Sequence, residues 1–178
     1  MDELTELAMA ARDDRRSLEE FARRIAPDVS TWCRFAAGDA GDDLAQDTMI
    51  RVLGALGQYR GDAPARLWAL SIARRAAVDH YRTMSRRRRL TERLHHIERA
   101  GHGAERQADT AEGFAIAGLL AGLDDDRREA FVLTQLHRLS YDEAAEVMRC
   151  PVGTIRSRVA RAREDLTLAL ERAERAAR

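Results

Sequence analysis

The chain has no lysine: all thirty of its basic residues are arginine, set against thirty acids in 178 residues. With the abundance of alanine and glycine, this reads mainly as the mark of a GC-rich genome, and only secondarily as a preference for two-pronged contacts to phosphate and guanine. Cysteine is almost absent, and Cys33 and Cys150 lie far apart without a CxxC partner, which excludes a disulfide framework and leaves two buried or half-exposed thiols. Aromatics make up only 5% of the chain while 34% is charged, so any core is modest. No run approaches the ~20 apolar residues that cross a bilayer, and the leading MDELTELAMA is acidic ahead of its apolar residues. The expectation is a cytoplasmic, soluble protein with no membrane insertion. The phosphate-binding GxxxxGK loop, the GxSxG elbow and the HExxH helix are all missing, so no enzyme is expected.

What is present is an uneven charge. Residues 60–89 hold nine arginines against two acids and residues 149–178 eight against four, while 1–59 and 124–148 are acidic. Two separate basic stretches backed by acidic ones suggest two nucleic-acid-facing surfaces.

The sharpest local pattern is SYDEAAEVMRCPVGTIRSRVARAREDL, Ser140 to Leu166. Ser140 and Glu143 form a capping box, with Leu139 and Ala144 as a small staple, opening a helix that stops where Pro151 disfavours helical Cys150. Pro151 starts the next helix. There Ile155, Val159, Ala162, Leu166 and Leu170 make one apolar stripe expected to be buried. The opposite face carries Thr154, Arg156, Ser157, Ala160 and Arg161, with Glu164 beyond. Such a pair is a helix-turn-helix, whose second helix meets base edges and phosphates.

Upstream, a helix is expected over residues 2–26, broken or ended near Pro27, then another from about Asp28 to Ala37 closed by the glycines of GDAG. A third runs from about Asp42 to Leu56, its first-turn acids complementing the helix dipole and its outer face showing Asp43, Gln46, Asp47, Ile50 and Arg51. On its residues alone that face reads as an ordinary solvated surface. After the loop Gly57 to Ala65, a helix to about Met84 alternates aromatics with arginines, as a binder of separated strands needs; Trp68 is either a stacking surface or core. From Ser85 to Thr110 the periodicity dissolves into a basic linker, in which His95, His96 and His102 lack the spacing of a metal set. Helices follow over Ala111–Ala121 and Asp124–His137, with Phe131, Val132 and Leu136 inside. The fold class expected is all-α: two small helical domains, residues 1–84 and 111–178, joined by a flexible linker over 85–110.

With those residues assembled, the chain resembles the bacterial sigma factors of the extracytoplasmic-function group. The stretch DDLAQDTMIRVLGALGQYRGDAPARLWALSIARRAAVDHYR (Asp42 to Arg82) is similar to the family's second region. LDDDRREAFVLTQLHRLSYDEAAEVMRCPVGTIRSRVARAREDL (Leu123 to Leu166) is similar to its fourth. The resemblance implies that Asp43, Gln46, Asp47 and Arg51 dock on the β′ coiled coil of core RNA polymerase. It implies that Arg60, Gly61 and Asp62 in the loop, with Trp68, open the minus 10 element and hold an extruded base. Arg75 and Asp79 would then read bases, and Arg66, Arg74 and Arg82 hold phosphates. Thr154, Arg156, Ser157, Ala160 and Arg161 would read the minus 35 duplex from a domain that also rests on the β flap. It implies further an anti-sigma factor as partner, and no cofactor or metal. Ala65 and Arg66 depart from the commoner pattern before the tryptophan, so the promoter sequence does not carry over. The alternative is a stand-alone dimeric helix-turn-helix regulator, which leaves Asp42 to Arg82 without a purpose.

Overall fold

The structure, a computed structural model, describes residues 2–94 and 118–176. Helix α1 spans Glu3–Ala10, α2 Arg15–Ala37, α3 Gly41–Ala55 and α4 Ala65–Leu94 in the first domain. The second has α5 at Asp125–Phe131, α6 at Tyr141–Met148 and α7 at Val152–Ala176. Among the described residues there is no strand, as an all-α fold of two helical domains requires. The linker beyond Leu94, its three histidines and the helix start at Ala111 with Phe114 and Ile116 lie outside the described residues.

The expected first helix is two. Residues 11–14 leave the helical path, and Asp14 caps a new start by accepting from Ser17 N at 2.8 Å and Ser17 Oγ at 2.6 Å. This α2 then runs unbroken through Pro27. Proline removes one backbone hydrogen bond there, but Phe21, Ile25, Val29, Trp32, Cys33 and Ala36 form one buried stripe on both sides of it. Burying a large apolar side chain is worth about 1.5–3 kcal/mol, so the stripe outweighs the proline penalty of about 3 kcal/mol.

Gly38 ends α2 at φ +55°, and Gly41 opens α3 against it. A Cβ on Gly41 would sit 2.6 Å from Arg34 Cα, so only glycine permits that crossing. Leu44, Ala45, Thr48 and Val52 bury the inner face of α3. At the other end of this domain Asp2 caps α1, Thr5 donates to Asp2 Oδ2 at 2.7 Å, and the same Thr5 oxygen accepts from Ala65 N at 2.9 Å. The first helix thereby fixes where α4 begins. That helix continues to Leu94, ten residues past its expected end at Met84.

In the second domain Asp124 caps α5, and Arg127 donates to Asp165 of α7 at 2.6 Å. Arg158 of α7 pairs with Asp126. After Phe131 the chain widens into a π turn, Val132–Leu136, closed by His137 N to Val132 O at 3.0 Å. The extra residue per turn rotates the stripe: Leu133 becomes fully buried, while Leu136, expected inside, is 40% exposed. The apolar stripe of α7 also ends early. Ile155, Val159 and Ala162 are buried, but Leu166 is only partly buried and Leu170 is half exposed.

Candidate nucleic-acid interface

The helix-turn-helix forms from its capping box outward. Ser140 N donates to Glu143 Oε2 at 2.7 Å and Glu143 N to Ser140 Oγ at 3.2 Å, which satisfies two free amides of α6. The turn holds a feature that composition does not announce: Arg149, not a glycine, ends α6 in the left-handed region at φ +51°. Its N–H and that of Cys150 reach back to carbonyls of the last turn, including Ala145 O from Cys150 at 3.1 Å. Cys150 is half-buried there, with Arg158 Nη1 3.7 Å from its sulfur.

On α7, Ile155, Val159 and Ala162 face α5 and α6, so Arg156, Ser157, Ala160 and Arg161 necessarily face out, and all four are exposed. Thr154 is half-buried, its carbonyl taking the Ser157 hydroxyl at 2.9 Å. Nothing among the described residues pairs with Arg156 or Arg161. The structure thus brings this set together as one open face.

On α3, Asp43, Gln46, Asp47 and Arg51 likewise share an exposed face. In their midst stands Ile50, 71% exposed, an apolar knob ringed by charge. Arg51 lies 2.8 Å from Asp47 and 3.6 Å from Asp79 of α4, tying the two helices.

The α4 set is not uniform. Arg75, Asp79 and Arg82 are exposed, with Arg75 Nε folded onto its own helix at Ser71 O, 3.1 Å away. Arg60 and Asp62 pair at 3.3 Å in the loop, where Gly61 takes φ +78°. Trp68 is half-buried against Tyr59, ring centroids 4.7 Å apart, while the Tyr59 hydroxyl donates to Ala63 O. It is therefore neither free nor core: one face is packed and the loop is stapled to it.

Arg66 and Arg74 are engaged. Arg66 makes a two-pronged bond to Asp28 of α2, at 2.7 and 2.8 Å. Arg74 donates to Glu129 of the second domain at 2.9 Å. Burial works against the charge on Asp28, but the hydrogen bonds from Arg66 and His137 prevail and hold its carboxyl far below the usual range. Burial pushes Glu129 up, against the pull of Arg74. Sequence reasoning missed Asp28, Glu129 and His137. No local spacing signals partners 38 to 109 residues apart.

No group of His, Cys, Asp and Glu that could hold a metal occurs among the described residues. None of their helices is long and apolar enough to cross a membrane.

These two helical units, one bearing arginines and aromatics beside a loop and the other a helix-turn-helix, define a two-domain DNA-binding protein. Residues 14–88 match the profile "Sigma-70 region 2" and residues 114–166 the profile "Sigma-70, region 4". The ECF RNA polymerase sigma factor SigC of Mycobacterium tuberculosis is 44% identical over 170 residues, covering 92% of this chain and 89% of that one. The RNA polymerase sigma-H factor of Pseudomonas aeruginosa is 34% identical over 72% of each. The solved structure of CnrH in complex with the cytosolic domain of CnrY superposes with a TM-score of 0.73 at 26% identity, covering 96% of this chain and 98% of that one. The sigma factor RpoE in complex with the anti-sigma factor NepR, from Bartonella quintana, gives 0.70 at 25% identity over 88% of this chain and 98% of that one. The chain belongs to the sigma-70 family, in its extracytoplasmic-function group. It directs core RNA polymerase to promoters for transcription initiation.

Proposed function

We propose that the chain grips a promoter at two points, one per domain, with core polymerase held on a third face. The domain of residues 1–84 docks on the β′ coiled coil through Asp43, Gln46, Asp47 and Arg51, with Ile50 as the apolar centre of the contact. Its α4 and the loop before it take the separated minus 10 strand: Arg60, Gly61, Asp62 and Trp68 at the extruded base, Arg75 and Asp79 at base edges, Arg66, Arg74 and Arg82 at phosphates. The domain of residues 111–178 reads the minus 35 duplex through Thr154, Arg156, Ser157, Ala160 and Arg161 and rests on the β flap, and residues 85–110 join the two. The observation that carries this reading is the open face of α7, where guanidinium groups and short side chains line up opposite the buried Ile155, Val159 and Ala162.

The chain has no catalytic activity of its own and works in the cytoplasm, where the polymerase is. An anti-sigma factor controls it. Support comes from the structural neighbours, one solved with an anti-sigma factor and one with a partner's cytosolic domain. The reading is tested by photocrosslinking a reconstituted promoter complex. The minus 35 duplex should link to peptides within residues 152–166 and the minus 10 non-template strand to peptides within 59–82. Both elements linking to one domain would overturn it.

A further inference from the structure

The loop assigned above to the extruded base is held by a helix far from it in sequence. Pro64, the residue before α4, has no side-chain oxygen to take the free amides of that helix. The ladder of α4 begins with Trp68 N donating to Pro64 O at 3.0 Å, which leaves the amides before it, Ala65 among them, to find partners elsewhere. Ala65 is fully buried, so water cannot serve. Its N–H donates instead to Thr5 Oγ1 of α1 at 2.9 Å, across 60 residues of sequence.

Thr5 is built for that one bond. It is 2% exposed, and its hydroxyl donates to Asp2 Oδ2 at 2.7 Å, so its proton is committed and a lone pair is left for the Ala65 amide. Asp2 is fixed in turn by Thr5 N at 3.0 Å, and Glu3 ties α1 to Arg24 of α2 at 2.8 Å. One turn along α1, Met9 backs the loop: a Cβ on Gly61, which takes φ +78°, would lie 3.5 Å from Met9 Sδ. Inside the loop Tyr59 is 3% exposed, packs on Trp68 and donates to Ala63 O. Arg60 and Asp62 are left facing out.

We propose that Thr5 is a positioning residue for minus 10 opening: by taking the Ala65 amide, with Met9 behind Gly61, it holds the loop Tyr59 to Ala65 in the shape that receives an extruded base. This rests on the assignment of Arg60, Gly61, Asp62 and Trp68 to that base. Thr5 lies buried beneath the loop and acts through Ala65, without touching DNA. A pocket whose loop must be ordered on binding gives up affinity to that ordering, so a loop fixed beforehand captures the base more tightly. Without the hydroxyl, the Ala65 amide is buried and unpaired. The start of α4 relieves this by shifting toward water, and Ala63, the Tyr59 anchor and Trp68 on the first turn shift with it. The faces of α3 and α7 are built from other helices, so core docking and minus 35 binding do not depend on Thr5.

The experiment uses holoenzyme reconstituted from core polymerase and the full chain carrying Thr5→Val, which keeps the branched shape and removes the hydroxyl, beside Thr5→Ser, which keeps the hydroxyl. Fluorescence anisotropy reads binding to single-stranded minus 10 oligonucleotides from a mapped start site, one intact and the others each lacking one base. Wild type should bind the intact strand about tenfold more tightly than the strand abasic at the extruded position. Thr5→Val should lose about tenfold on the intact strand and nothing on that abasic strand, while Thr5→Ser stays within about twofold of wild type on both. Affinity for a minus 35 duplex should be the same in all three. Should Thr5→Val lose its helical circular dichroism, Met9→Ala, which uncovers Gly61, reads the same strands. Wild-type binding by a folded variant overturns the proposal, and so does an equal loss on intact and abasic strands, which marks a general loosening of the fold. A wild type indifferent to every missing base overturns the assignment of the loop to an extruded base, and the proposal with it.

Discussion

The two arginine-bearing helices differ in what their arginines are doing. On α7 the guanidinium groups of Arg156 and Arg161 project from a short-side-chain face, and nothing among the described residues is bound to them. On α4, Arg66 and Arg74 are already held by carboxylates, and among the described side chains Arg75 and Arg82 are the exposed arginines. The contrast follows from burial. The exposed face of α7 is opposite its core stripe, whereas α4 lies between the first domain's core and the second domain, so Arg66 and Arg74 meet other protein before they meet solvent. On the proposed assignment, the helix that reads duplex DNA stays open, while the one that holds separated strands has no ligand until the DNA melts.

That contrast can be broken or sharpened by substitution. The largest effect is expected from Ile155→Ala, which empties a fully buried position between α7 and its neighbours. A loss of about 2–5 kcal/mol is expected in denaturant titration. It should abolish minus 35 binding, and if the domains fold separately the helical signal of the first should persist. Arg156→Ala should cost about 1–3 kcal/mol at one base pair of the upstream element in competition binding, with selectivity relaxed there alone. Asp47→Arg leaves the fold unchanged, since this side chain is exposed, and should weaken core polymerase binding by about tenfold, or ~1.4 kcal/mol, in a pull-down titration. Unchanged core affinity would make the α3 face mere solvated surface. Ser140→Ala removes one half of the capping box and should lower stability by about 1 kcal/mol in thermal melts without altering base selectivity. The smallest effect concerns the thiols. Burial pushes Cys33 up to about 11, so at neutral pH a thiol reagent should titrate Cys150 alone and reach Cys33 only on unfolding.

Much of the helix-turn-helix was legible because it is local. A capping box is an i, i+3 pattern, and the stripe of α7 a 3.6-residue period, so Ser140, Glu143, Ile155 and Val159 announce their surroundings without knowledge of the rest of the chain. The first domain was less so. Asp14 is one acid among many, and only its geometry marks it as the cap that splits the N-terminal helix; Pro27 predicted a break that the stripe around it overrode. The π turn after Phe131 was invisible to a periodicity argument because it changes the period, which is why Leu136 came out exposed and His137 turned inward. The exposed face of α3 could be seen but not interpreted from its residues, since a docking face and a solvated face have the same composition. Least legible was the seam between the two domains, where Asp28, Glu129 and His137 reach across the chain to partners that no spacing rule connects.

The central claim is that this chain confers start sites on core polymerase by a two-point grip. It is tested most directly by mapping transcript 5′ ends made by core enzyme with and without the purified chain on a library of genomic fragments. Starts that appear only with the chain, each preceded by two elements at a constant spacing, are the predicted result. No chain-dependent starts, together with tight binding of the chain alone to a palindromic duplex, would contradict it and leave a stand-alone regulator in its place.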